Sequence, residues 1–131
     1  PFAPAAETAS GGELSRIALA LRAVAHASAG EPTVVFDEID AGIGGHTARA
    51  VGEQLRALGA DRQVICITHL PQVAAAATRH FQIDKLTRGG EALTEVRRLG
   101  DAAVVDELCR MLGADAADNG ARKHAKQLLA A

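Results

Sequence analysis

Thr33-Val34-Val35-Phe36-Asp37-Glu38 is a short, β-branched apolar run that ends, with no transition, in two adjacent carboxylates. An unbroken apolar run of this length reads as a strand of a parallel sheet, covered on both faces. In open α/β sheets the carboxyl edge of such strands is where ligands bind, and that edge is where the two acids fall. Neighbouring carboxylates repel, so placing them beside an apolar run is costly unless a cation or a water-activating task compensates. A hard cation such as Mg²⁺ suits Asp37, which leaves Glu38 facing an attacking water. In isolation the pair reads better as two solvated acids, so the neighbouring segments decide.

Val64 to Ile67 is a second apolar run, and it too ends in polar residues, Thr68-His69. Between the runs, His46 to Leu58 carries Val51, Leu55 and Leu58 on one helical face, which supplies the crossover that parallel strands require. Two parallel strands joined by one crossover deliver His69 to the same edge as Asp37 and Glu38. His26, His46, His80 and His124 have no such neighbours and read as packing or surface groups. Upstream, Ser10-Gly11-Gly12-Glu13 has the spacing of a capping box, and its two glycines also leave bare N–H groups at the positive end of a helix, a geometry suited to a phosphate. That helix is expected over Gly12 to Ala29, with Leu14, Ile17, Ala18, Leu21 and Val24 at helical spacing. Residues 1–9, with two prolines and no periodicity, read as an entry loop with nothing folded before it. Downstream, a short helix over Leu70 to Ala77 precedes a hairpin of Phe81 to Leu86 and Ala92 to Leu99, split by Gly89 and Gly90. Helices over Ala102 to Leu112 and Ala121 to Leu129 close the chain, with Gly113 as the stop between them.

The composition narrows the function. A formal charge of -2 and three aromatic residues, all Phe, supply neither the basic field nor the stacking platforms of a self-sufficient nucleic-acid binder. Two cysteines, each in an apolar stretch, make no disulfide framework and no zinc pattern. The apolar stretches are far shorter than a membrane span and no secretory leader opens the chain, so a soluble cytoplasmic protein is expected. Gly42-Ile43-Gly44-Gly45 departs from a dinucleotide fingerprint because its last glycine would fall on Thr47. Arg122, Lys123 and Lys126 read as a solvated helix face rather than a phosphate site. A P-loop needs Gly followed by Lys and then Ser or Thr, whereas Lys85, Lys123 and Lys126 follow Asp84, Arg122 and Ala125. The β- and γ-phosphate contacts of any nucleotide would therefore come from outside these residues.

Ala9-Ser10-Gly11-Gly12-Glu13-Leu14-Ser15-Arg16, then Thr33 to Asp40, then Ile67-Thr68-His69, resemble the ordered signature, Walker B, D-loop and H-loop series of the ABC-type ATPases. Transporter members usually carry Gln where Glu13 stands, so the resemblance favours the chromosome-associated, SMC-like branch. Asp37 to Gly45, Thr68 to Ala74 and Leu108 to Gly113 look like a DNA-repair member of that branch. The family's P-loop and long coiled-coil arms have no counterpart here.

The resemblance implies an α/β fold: residues 1–131 as the carboxy-terminal lobe of an ATPase head, a mostly parallel sheet flanked by helices, with a hairpin and two helices at the end. It implies that Asp37 helps hold Mg²⁺, that Glu38 polarises the attacking water and that His69 contacts the γ-phosphate. Ser10, Gly11, Gly12 and Glu13 would cap ATP held by a second head, and Asp40, Ala41 and Gly42 would line the seam between heads. The implied cofactors are ATP and Mg²⁺. The implied partners are an amino-terminal P-loop lobe of the same protein, a second head in an ATP-dependent homodimer, and DNA through the full-length protein. The implied role is ATP hydrolysis in double-strand-break repair at the nucleoid, with this chain alone inactive. A non-catalytic docking or dimerisation module of the same shape is the competing reading, and intact Glu38 and His69 speak against it.

Overall fold

The computed structural model describes residues 10–24, 33–88 and 90–131. Helix α1 spans Gly11–Val24, strand β1 Thr33–Phe36, helix α2 Gly45–Leu58, strand β2 Gln63–Cys66 and the single turn α3 Pro71–Ala74. Strands β3 (Phe81–Arg88) and β4 (Glu91–Arg98) follow, then helices α4 (Asp101–Met111) and α5 (Asn119–Ala130). These elements form two compact units that divide at Ala76 and Ala77. The expected entry loop and the last turns of the first helix, up to Ala29, lie outside the described residues.

In the first unit β1 and β2 pair in parallel, with Thr33 level with Gln63 and Phe36 level with Cys66. The second strand lies one residue earlier than the apolar run suggested, but Ile67 extends the ladder by donating its N–H to the Phe36 carbonyl at 2.9 Å. One face of the pair is covered: Val34 and Phe36 pack with Leu19 of α1, Ala48, Val51 and Leu55 of α2, Val73 and Ile39. The other face differs from the expectation of strands covered on both sides. Val35, Ile65 and Ile67 are exposed there, Val35 to 60%. The apolar run recorded a need for cover on both faces, and among the described residues only one face receives it. Helix α1 shows the same pattern: among its described side chains Leu19 is the buried apolar one, while Ile17 and Leu21, expected inside, are exposed.

The second unit is built from local pairings. Strands β3 and β4 form an antiparallel hairpin, Phe81 opposite Arg98 and Arg88 opposite Glu91. Gln82 Nε2 donates to Glu107 of α4 at 2.9 Å, tying hairpin to helix. Helix α4 buries Val104, Val105, Leu108 and Cys109, and α5 buries Ala125. The predicted stop at Gly113 is a Schellman turn: Gly113 has φ +77°, its N–H donates to Arg110, and the Ala114 N–H donates to Cys109. Asp118 then caps α5, accepting from Gly120 at 2.7 Å and Ala121 at 3.0 Å.

Candidate active site

The parallel register carries the ends of β1 and β2 to one edge, so Asp37 and Glu38 emerge there together with Thr68 and His69. The turn leaving β1 is tight. The Glu38 carbonyl accepts from the Ala41 N–H at 3.0 Å and the Asp40 carbonyl from Ile43 at 3.3 Å. Glu38 itself has φ +55°, a left-handed backbone that a residue with a Cβ adopts at a cost of roughly 1–2 kcal/mol. Such strain persists where surrounding contacts over-determine the conformation.

Helix α1 supplies those contacts. Ser15 Oγ donates to the Asp37 carbonyl at 3.1 Å, and Arg16 Nη1 donates to the carbonyls of Ile39 at 3.0 Å and Ala41 at 2.9 Å. The helix approaches so closely that a Cβ on Gly12 would stand 2.7 Å from the Glu38 carbonyl oxygen and 2.8 Å from the Ala41 Cβ. Gly12 is therefore required by packing against its own chain, a role separate from the bare N–H groups that drew attention to it. A Cβ on Gly11 would stand 3.2 Å from Glu38 Oε2, which places that carboxylate beside the amino-terminal end of α1. The capping box forms as read: the Ser10 N–H donates to Glu13 Oε2 at 2.8 Å and the Glu13 N–H to Ser10 Oγ at 3.3 Å. Those bonds, the one from the Ser10 backbone first, hold the Glu13 carboxyl below its usual range.

The side chain of Asp40, a residue expected to line a seam between heads, is turned inward. Its side chain is 2% exposed, and it is the buried charged residue among those described. Its Oδ2 accepts from the Thr68 hydroxyl, from the His69 N–H at 2.9 Å and from the Leu70 N–H at 3.3 Å. His69 Nδ1 lies 3.2 Å from the same oxygen while the imidazole is 72% exposed. Burial on its own would raise the Asp40 carboxyl, but the hydrogen bonds from Thr68 and His69 and the nearby imidazole outweigh it and hold the group below the ordinary carboxylate range. Ala41 is half-buried and Gly42 exposed with φ +72°.

Asp37 and Glu38 are both exposed, and neither carboxylate is engaged by a hydrogen bond or ion pair to another described residue. The charge of Asp37 is felt locally: burial first, then Asp40, then Asp37 push the Cys66 thiol up to about 11. No cluster of three metal-ligating side chains occurs among the described residues. A strand-edge carboxylate such as Asp37, with no partner among the described residues, fits magnesium, which keeps several waters and takes one or two carboxylates plus substrate phosphates. Sequence reasoning assigned no role to Ser15, Arg16 or Thr68. Their partners are backbone carbonyls and a buried acid more than twenty residues away, which no local spacing encodes.

The sequence is similar over nearly its whole length to known proteins. The DNA repair protein RecN of Halalkalibacterium halodurans is 45% identical over 129 residues, which is 98% of this chain and 23% of that protein. RecN of Treponema pallidum is 45% identical over 131 residues, 100% of this chain and 23% of that protein, and RecN of Vibrio cholerae is 41% identical over 131 residues. The chain belongs to the RecN family. It spans about a quarter of the length of these relatives and corresponds to the carboxy-terminal part of RecN. No protein-family model matches it. A solved structure from work on ATP-driven dimerization and DNA-stimulated activation of SMC ATPases matches with a TM-score of 0.53 at 26% identity, covering 72% of this chain and 56% of the other. The RecN-like chain thus has the mixed α/β fold of an SMC ATPase head, with a small parallel sheet and an antiparallel pair. No helix among the described residues is long and apolar enough to cross a membrane.

Proposed function

We infer that the chain is the carboxy-terminal lobe of a RecN-like ATPase head, residues 1–131 acting as one lobe, and that it hydrolyses ATP only when a P-loop-bearing lobe grips the phosphates. The observation that carries the reading is the strained turn at Glu38, held by Arg16 and Ser15 on the edge it shares with His69. A strained conformation fixed by several independent bonds is expensive to keep for packing alone.

In this reading Asp37 is the carboxylate that would hold magnesium, and bound magnesium would neutralise charge on the transferring phosphate. Glu38, without a partner among the described residues and carried on a left-handed backbone, orients the attacking water and receives its proton. His69, tethered by its main chain to Asp40, presents an exposed ring to the γ-phosphate. Ser10, Gly11, Gly12 and Glu13 cap the phosphate of a nucleotide held by a second head, with Ala41 and Gly42 at the seam. The uncovered face of Val35, Ile65 and Ile67 suits cover by the P-loop lobe. DNA repair, through DNA contacts made by the full-length protein in the cytoplasm, is the role that the RecN relatives suggest.

The test is to add the amino-terminal lobe and measure ATP turnover with and without Glu38→Gln. Turnover is expected only with both lobes, and the substitution is expected to lower it about a hundredfold or more while ATP still binds. Turnover by the chain alone, or full turnover by the variant, would refute the assignment.

A further inference from the structure

We propose that Asp40 is a positioning residue for His69, locking the turn after β1 to the turn after β2 so that the histidine's tautomer and reach are set by the carboxylate. The part of the proposal that concerns turnover rests on the ATPase reading above; the part that concerns the imidazole does not.

One carboxylate oxygen gathers four donors or near-donors from three consecutive residues: the Thr68 hydroxyl, the His69 and Leu70 amides, and His69 Nδ1 at 3.2 Å. The Leu70 N–H is shared with Thr68 Oγ1 at 3.0 Å, so hydroxyl and carboxylate close a small network around the second turn. A buried carboxylate left without donors is strongly disfavoured, which makes these contacts difficult to give up. The other end of the lock is equally fixed. The carbonyls on either side of Asp40 accept from Arg16, so the residue cannot move without displacing α1.

The consequence falls on the imidazole. A ring whose Nδ1 stands 3.2 Å from a buried anion favours the tautomer that turns a proton toward that negative charge, which puts the proton on Nδ1 and leaves Nε2 bare and outward. With 72% of the side chain exposed, packing does little to orient the ring, and the carboxylate is the group that does. Asp40 touches no substrate in this arrangement and acts through His69. The same hub joins the turn bearing Asp37 and Glu38 to the turn bearing His69, so the two cannot separate independently.

The experiment has two arms. In the first, the His69 ring nitrogens of the 131-residue chain are followed by nitrogen-15 NMR at alkaline pH. The wild type is expected to show protonated Nδ1; Asp40→Ala is expected to shift the population toward protonated Nε2, and Asp40→Asn, which keeps an oxygen acceptor and removes the charge, to fall between them. Should Asp40→Ala fail to fold, Asp40→Asn against wild type decides. An unchanged tautomer in the folded variants, or protonated Nε2 in the wild type, would overturn the proposal whatever the chain hydrolyses. In the second arm, with both lobes present, Asp40→Asn is expected to lower kcat about tenfold, the lower end of the range for removing a partner that orients a histidine, with KM for ATP little changed. In a His69→Ala background it should add nothing. Independent, multiplying losses would overturn the coupling. A head without turnover, in which the tautomer still depends on Asp40, would reject the ATPase reading and leave the lock standing.

Discussion

The two compact units bury different things. The first, ending at Ala76, closes around a charged side chain, Asp40, and uses it to bind the turn that follows β1 to the turn that bears Thr68 and His69. The second, from Ala77, buries only apolar side chains among its described residues, with Leu108, Cys109 and Ala125 at 1% exposure or less. Its polar contacts are at the periphery, where Arg122 pairs with Asp106 and Arg110 with Glu107. A fully satisfied polar network fixes one arrangement of its members, whereas apolar packing tolerates volume-conserving exchange. The first unit is therefore where geometry is specified, and the second supplies bulk stability. Substitutions that separate geometry from stability test that contrast.

The largest effect on stability is expected in the second unit. Leu108→Ala removes a side chain that is 1% exposed between α4 and its neighbours, and should cost about 2–5 kcal/mol by chemical denaturation. If the contrast is right, Leu108→Met, which nearly conserves volume, should cost less than about 1.5 kcal/mol. A small loss for alanine would mean that the helical pair is not the stabilising core of its unit.

A smaller loss with a sharper consequence is expected at Gly12→Ala. The new methyl would meet the Glu38 carbonyl and the Ala41 Cβ well inside contact distance, and both belong to a turn that Arg16 holds in place. Overpacking of this kind costs about 1–3 kcal/mol. Here it should also move Glu38, so turnover of the completed head should fall by more than the lost stability explains. Full turnover at reduced stability would show that the close approach of α1 to the turn is packing and nothing more.

How far the chain could be read in advance follows the same divide. Elements whose signal is periodic were legible to within two residues: the hairpin, α4, α5, and the crossover helix α2. The strand β1 was legible to the residue, because a turn and two acids bound its apolar run. Which faces of the strands and of α1 are covered was not legible, since Val35, Ile65, Ile17 and Leu21 are as apolar as their buried neighbours and differ only in what lies over them. At the site, the meeting of Asp37, Glu38 and His69 at one edge followed from parallel pairing. The burial of Asp40 did not, because the resemblance implied a place at the seam between heads for it and no local spacing shows that the fold turns its side chain inward onto Thr68 and His69. The capping box was visible because its partners are three residues apart; the Arg16 contacts, twenty-three and twenty-five residues apart, were not.

The smallest effect is the one that probes the first unit's charge most directly. Cys66 lies at the end of β2, half-buried, with its thiol pushed up to about 11 by burial first and then by Asp40 and Asp37. In the unfolded chain it would titrate near 9.0, so the folded state holds a proton the unfolded state loses. The stability this contributes is present in full below about 9.0 and is lost as pH rises toward about 11. Since the thiolate is the reactive form, alkylation of Cys66 in the folded chain at pH 8 should be slow, and unfolding in denaturant should speed it. Asp37→Asn removes the smaller of the two named charges and leaves burial intact, so it should speed alkylation only slightly, while Asp40→Asn should speed it more. Equal rates in both variants would mean that burial alone holds the thiol, and that the negative field at this rim is weaker than the position of Asp40 requires.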